Sequence, residues 1–184
     1  MKFDEGWRLW RLGVSPLGVP QLGSPLMNTG HGRGVYALPA VWDGNRVSAR
    51  CLRGCEWPPG ADCECGIRFY SHASGFVAVA ERMRDRHTHE LLRPRSGSRA
   101  LPTVISYGRP IGPCYHDPEH GINGSWRNYW RAGQYDVLAL LGFDEYPMDK
   151  LGARYGVPVF TFDNTHSPTE TLQRIADSCP GQTV

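Results

Sequence analysis

Alternating apolar and polar residues along several short stretches of the chain predict β-strands. Aromatic and β-branched side chains are common in these stretches, and such residues pack well on a pleated surface. The stretch 135–141 is more continuously apolar, so a short helix is also compatible with it. The predicted strands are residues 7–12, 35–42, 67–70, 101–111, 135–141 and 157–162.

Apolar residues at helical spacing predict two or three helices. One begins near Gly75, after a capping serine, and frays near Arg84, where a charged residue falls on the apolar face. A short helix over 149–155 ends at Gly156, a residue suited to a left-handed cap. The last helix follows Ser167-Pro168-Thr169-Glu170, which combines a capping box with proline in the first turn. Its apolar stripe consists of Leu172, Ile175, Ala176 and Cys179.

The segments between these elements predict long loops. Residues 13–33 are rich in glycine and proline, and residues 114–128 are polar and rich in histidine and glycine. Six arginines against two acids lie between positions 82 and 99, which predicts a mobile basic loop over 86–99. We therefore expect a single α+β domain over 1–184, with short strands and long loops around a zinc-knuckle-like cysteine cluster.

Composition and charge exclude several classes of protein. The 22 glycines and 15 prolines in 184 residues argue against an all-helical bundle. Twenty Lys and Arg against 18 Asp and Glu give a net charge of +2, too balanced for a dedicated nucleic-acid protein. Apolar runs fall short of the ~20 residues that span a bilayer, and the first residues lack an apolar signal segment. We expect no membrane association and a cytoplasmic location.

Four of the six cysteines lie within fifteen residues, at Cys51, Cys55, Cys63 and Cys65. Two short-spaced pairs joined by a stiff Trp-Pro-Pro-Gly turn are typical of a structural zinc site, and Gly66 would relieve crowding after the last ligand. His72 is an alternative fourth ligand. The competing interpretations are reduced cysteines packed as small hydrophobes, disulfides or redox chemistry, and an iron–sulfur cluster.

Around this cluster the chain resembles a group of small actinobacterial and actinophage proteins that carry a Cys-x-Cys-Gly-Ile-Tyr-Ala-like motif. The matching segments are residues 7–12, 49–51, 63–67, 104–109 and 151–159. Cys55 stands where that group commonly has a histidine, and Arg68-Phe69 replaces Tyr-Ala. The resemblance implies a zinc-like site and an actinobacterial or phage source, and it carries no information about catalysis.

Two further segments suggest other chemistry. Residues 114–120 contain a thiol, two imidazoles and two carboxylates, which could form a second metal site, a general base or, with Asn123, a remote likeness to His-Asn-His nucleases. Pro118 interrupts the helical geometry that would align His116 with His120, so a polar loop is the simpler interpretation. Basic and aromatic residues could instead contact nucleic acid. These candidate contacts are Arg93, Arg95, Arg99, Arg127, Trp130 and Arg131.

Trp130 has a structural alternative as well, because Trp126 and Trp130 at i,i+4 could anchor a core while the arginines extend outward. The chain contains no phosphate-binding Gly-Lys-Ser/Thr loop and no Gly-x-Ser-x-Gly elbow. Because no catalytic set is complete, we expect a non-enzymatic, zinc-stabilised interaction or regulatory protein that binds a protein partner. A nucleic-acid-binding or nucleic-acid-processing protein is the alternative.

Overall fold

A mixed β-sheet with helices on both faces forms the body of the protein. The computed structural model describes residues 1–15, 17–23, 41–51, 54–60, 63, 65–92, 102–117, 129–163 and 165–179, and for residues 86–92 it describes only the backbone. The elements in these ranges are β1 (Gly6–Val14), β2 (Pro20–Gly23), β3 (Val41–Asp43), β4 (Arg46–Ser48), β5 (Ile67–Tyr70), α1 (Ala73–Leu92), β6 (Thr103–His116), β7 (Tyr129–Gly142), α2 (Met148–Tyr155), β8 (Val159–Thr161) and α3 (Pro168–Ser178). The predicted α+β class is confirmed, with sheet predominating.

The long antiparallel pair β6–β7 organises the sheet. The other edge of β6 pairs with β1, and the other edge of β7 pairs in turn with β5, β4 and β8. Among the described strands, all pairings are antiparallel except that of β7 with β8. Strand β1 also pairs with β5, where Trp7 lies opposite Tyr70. Strands β1, β6, β7 and β5 therefore form a closed circuit of pairings.

Alternating residues of the central strands supply two hydrophobic cores. On one face, Trp7, Ile105 and Leu141 pack with residues of α1 and α3. On the other face, Trp10, Val104 and Leu140 pack with residues of α2. Two buried polar groups on this second face are paired: Trp10 Nε1 donates to Ser106 Oγ at 2.7 Å, and the Tyr135 hydroxyl donates to the Gly6 carbonyl at 2.8 Å.

The predicted ends of the two C-terminal helices are confirmed. Gly156 terminates α2 with φ of 66°, in the left-handed region. Ser167 caps α3 through its side chain and forms the predicted capping box with Glu170. Leu172 and Ile175 are buried against the first core, as the apolar stripe predicted.

Several predicted boundaries are wrong. Residues 20–23, within the predicted first loop, form β2, and β6 extends through His116, into the segment predicted as a second loop. Helix α1 continues past Arg84 to Leu92, so residues 86–92 belong to a helix, and residues 93–99 lie outside the described ranges. Trp130 lies in β7, which rules out the helical i,i+4 relation to Trp126.

The predicted strand at 35–42 is described only at its end, where Val41 and Trp42 belong to β3. Within the described ranges, no helix combines the length and the hydropathy needed to cross a bilayer.

Candidate metal centre

The four clustered cysteines meet in the connection between β4 and β5, here called the cysteine knuckle (residues 51–65). Each of them is half-buried, and all four are free thiols. Their Sγ atoms all lie within 4.8 Å of one another. The Sγ atoms of Cys51 and Cys63 are 3.6 Å apart, whereas a disulfide requires about 2.05 Å. The structure therefore brings together the ligand set predicted from the sequence, and four thiols so close together can bind a metal ion.

The separation of the Cys51 and Cys63 sulfurs fits a tetrahedral ion. Zinc–thiolate bonds of about 2.3 Å in a regular tetrahedron place the sulfurs about 3.8 Å apart. The 3.6 Å separation of Cys51 and Cys63 lies close to that edge length. His72 is exposed and does not belong to the four-residue group, so the alternative ligand proposed from the sequence is not needed.

Gly60, the last residue of the turn between the two cysteine pairs, is hydrogen-bonded to both cysteines of the second pair and lies against Cys55 of the first. Its carbonyl accepts a hydrogen bond from the Cys63 N–H at 3.2 Å, and its own N–H donates to Cys65 Sγ at 3.4 Å. A Cβ at this position would lie 3.0 Å from Cys55 Sγ, a contact tight enough to move the sulfur. Glycine is therefore the residue that lets the turn pass against the thiols.

Two of the thiols, Cys55 and Cys65, hold their protons more strongly than ordinary cysteines. Hydrogen bonding with Cys51 and then Cys63 raises the pKa of Cys55 to about 12. Burial is the main cause of the raised pKa of Cys65. Because the thiolate is the form that binds metal, an arriving cation must displace these protons, and its charge then stabilises the clustered thiolates.

The cysteine knuckle rests on strand β7 at Gly133. Pairing of β7 with β5 ends at Ala132, and pairing with β4 begins at Gln134, so Gly133 lies in the gap between them. Its carbonyl accepts a hydrogen bond from Ala49 N–H at 2.8 Å. A Cβ on Gly133 would lie only 2.2 Å from the Pro58 carbonyl oxygen. Only glycine allows the loop to approach the strand this closely.

The prediction that glycine relieves crowding after the last ligand is confirmed at Gly66, at the other end of the knuckle. Its φ is 126°, and a Cβ there would lie 3.1 Å from the side chains of both Pro59 and Arg131. The close packing on both sides explains why the chain needs glycine immediately after the last ligand.

Arg131 lies beneath the knuckle instead of on an outer surface. Its side chain is buried, with 8% of the residue exposed. Its Nη1 donates to the carbonyls of Gly60 at 3.2 Å and Cys65 at 3.1 Å, and also to that of Cys63. This placement corrects the outward orientation expected from the sequence and argues against Arg131 as a nucleic-acid contact.

The other candidate residues are not brought into a second site by the described parts of the chain. The Trp130 ring lies 4.7 Å from the Phe3 ring and 5.0 Å from the His116 ring, at the margin of the second core. Cys114 is buried opposite Ala132 and does not belong to the four-cysteine group, and burial raises its pKa. The remaining candidates, Arg93, Arg95, Arg99, His120, Asn123 and Arg127, lie outside the described residues.

The positions of Arg131 and Gly133 were not recognised from the sequence as parts of this site. They follow Cys65, the last cysteine of the knuckle, by more than sixty residues, and neither residue type has a spacing signal that links it to the cysteines.

Comparison with protein-family models, with curated proteins and with solved structures finds no match to this chain.

Proposed function

We propose that the protein is a non-enzymatic, zinc-stabilised binding protein whose metal is held by Cys51, Cys55, Cys63 and Cys65. The observation that carries the proposal is the approach of four free thiols to within 4.8 Å of one another. Zinc is the metal we favour, because all-thiolate tetrahedral sets are typical of structural zinc sites.

The same donor set supports a structural role over a catalytic one. Catalytic zinc keeps one coordination position for water or substrate, whereas four protein thiolates complete the tetrahedron. Zinc binding of this kind contributes ~10–16 kcal/mol, comparable with the ~5–15 kcal/mol stability of a whole domain. Zinc would therefore stabilise the connection between β4 and β5, and with it the attachment of both strands to β7.

A protein partner is the ligand we favour, because of the aromatic residue that the knuckle presents to solvent. Trp57 is 81% exposed, although it precedes a Pro-Pro-Gly turn whose backbone is fixed against β7. Exposed tryptophans on rigid supports are the type of residue that anchors protein interfaces. We propose an interaction or regulatory role in an actinobacterium or its phage, in line with the resemblance carried by the Cys-x-Cys motif.

Elemental analysis of the purified protein tests the metal centre. We expect about one zinc per chain. The Cys63→Ser variant should lose the metal and melt at a lower temperature, whereas Cys179→Ser, a partly buried cysteine outside the knuckle, should keep it. A fully folded protein without metal, or a Cys63→Ser variant with unchanged zinc content and melting temperature, would refute the proposal.

The binding role is tested separately with the zinc-loaded protein. A partner identified among the products of neighbouring genes should bind wild-type protein and lose roughly tenfold or more in affinity with Trp57→Ala. Leu17→Ala is the matched control, because Leu17 is 89% exposed on a different part of the surface. Tight binding of single-stranded nucleic acid at physiological salt, unaffected by Trp57→Ala, would favour the alternative function.

A further inference from the structure

We propose that Arg131 is a positioning residue of the metal centre: it holds the backbone of the cysteine knuckle so that Cys63 and Cys65 are already placed before a metal arrives. The inference rests on the proposed zinc site, since it concerns how that same site is assembled. It goes beyond the ligand set, because Arg131 contributes no ligand atom and lies on a strand distant in sequence from the cysteines.

The geometry of one guanidinium group carries the inference. Nη1 of Arg131 donates to the carbonyls of Gly60, Cys63 and Cys65, two of which belong to the predicted ligands themselves. The Arg131 guanidinium carbon lies 5.7 Å from the centre of the Tyr115 ring, in cation–π range. Three carbonyls from one short loop thus converge on a single buried donor.

The strand that carries Arg131 is fixed on both sides. Arg131 lies opposite Tyr115 on β6 and opposite Arg68 on β5, and the residues on either side of it in β7 are also paired with both strands. Because β7 cannot shift there without breaking both ladders, the guanidinium offers a fixed point to which the loop is tied. Loss of the guanidinium would leave the three carbonyls without this donor, and buried polar groups that lose a partner destabilise the arrangement that buries them.

The net charge of the metal centre also favours a role for the Arg131 guanidinium in metal binding. Four thiolates and one divalent cation sum to a net charge of −2, and the protein must stabilise that charge in a half-buried loop. A permanently positive guanidinium bonded to the peptide carbonyls of two ligands favours the metal-bound form over the metal-free thiols. The effect is therefore expected on metal affinity, beyond any effect on the stability of the sheet.

The experiment compares metal binding by wild-type protein, Arg131→Gln and Arg131→Lys. Cobalt(II) is the probe for affinity, because its visible spectrum reports tetrahedral thiolate coordination, and transfer of zinc to excess chromogenic chelator gives the release rate. Circular dichroism of each metal-loaded protein checks the fold. Arg46→Gln is the matched control, since Arg46 lies on neighbouring β4, is ion-paired with Asp136 on β7 and bonds to no knuckle carbonyl in the described structure.

We expect Arg131→Gln to bind cobalt roughly 10–100-fold more weakly and to release zinc faster, as substitutions behind metal ligands commonly do. Arg131→Lys should fall between Gln and wild type, because it keeps the charge and loses the planar fork. The control should match wild type. Equal affinity and release rate in wild type and a folded Arg131→Gln would overturn the inference while leaving the zinc site intact.

If Arg131→Gln does not fold even with metal, zinc release from Arg131→Lys becomes the test of the inference. Faster zinc release from a folded lysine variant supports the inference, and wild-type release overturns it. If neither variant folds, Arg131 serves the whole sheet and the inference is overturned as well. Absence of tetrahedral cobalt binding in the wild type would refute the proposed function itself, a result that these other outcomes do not produce.

Discussion

Replacing Gly133 by alanine should loosen the metal centre without altering any ligand. A single methyl group would be added in the gap of β7 between the segments paired with β5 and β4. Its carbon would lie 2.2 Å from the Pro58 carbonyl oxygen, whereas real Cβ atoms essentially never come closer than 3.0 Å to a neighbour. The strand and the knuckle must therefore separate by at least 0.8 Å, the difference between these two distances.

This displacement is large compared with the tolerance of a metal site, where ligand distances are fixed to about 0.2 Å. The metal-free knuckle is tied to β7 by Arg131 but can still rearrange locally around Pro58, whereas the metal-bound knuckle is held at four sulfurs as well. An excess strain of about 1–3 kcal/mol in the bound state corresponds to roughly 5–150-fold weaker metal binding.

Cobalt titration of the thiol-reduced protein, followed by competition with zinc, measures this loss of affinity. Gly13→Ala is the control, because Gly13 also lies in a strand and its new methyl group would meet nothing closer than 3.9 Å. Zinc affinity of Gly133→Ala within twofold of the wild-type value, with an unchanged circular dichroism spectrum, would show that the contact with Pro58 does not hold the knuckle in place.

Three further predictions concern the rest of the fold. Leu172→Ala should lower the free energy of unfolding by about 2–5 kcal/mol in urea titrations, because Leu172 is fully buried in the first core and the substitution leaves a cavity. Ser167→Ala should cost about 0.5–2 kcal/mol by the same measurement, since it removes the side-chain cap that accepts from the Glu170 N–H at 3.2 Å. Hydrogen bonds hold the pKa of Asp163 well below its usual range, so its stabilising effect is complete above a pH of about 4 and is lost as the pH falls further. Asp163→Asn should therefore flatten the acid side of a melting-temperature profile.

Helix ends and the cysteine ligands could be predicted from sequence because their signals are local. Gly156 and the Ser167 capping box act within one turn of the helix that they terminate or begin. The four cysteines lie within fifteen residues and share a turn, so their spacing alone indicates a common site. In both cases the residues that recognise one another are close in the chain.

The lengths of β6 and of α1 were harder to predict from the sequence. Gly112 resembles a loop signal, but β6 accommodates it at an irregularity in its register with β7, between Ile111 and Cys114. Arg84 is half-buried in a helix that continues beyond it, because an arginine stem can lie on apolar surface while its charged end reaches water. Such outcomes depend on neighbours that only the folded chain supplies.

The closed circuit of strand pairings has a consequence for synthesis on the ribosome. Trp7 pairs with Tyr107, one hundred residues later, so at ~5–20 residues per second the first strand waits ~5–20 s for its partner. During that interval its two tryptophans, which are fully buried in the finished sheet, remain a target for chaperones. The four cysteines emerge before β6, but Arg131 follows Cys65 by more than sixty residues. The knuckle is therefore held in place for a metal ion only after β7 has been synthesised, at the same stage at which the sheet closes.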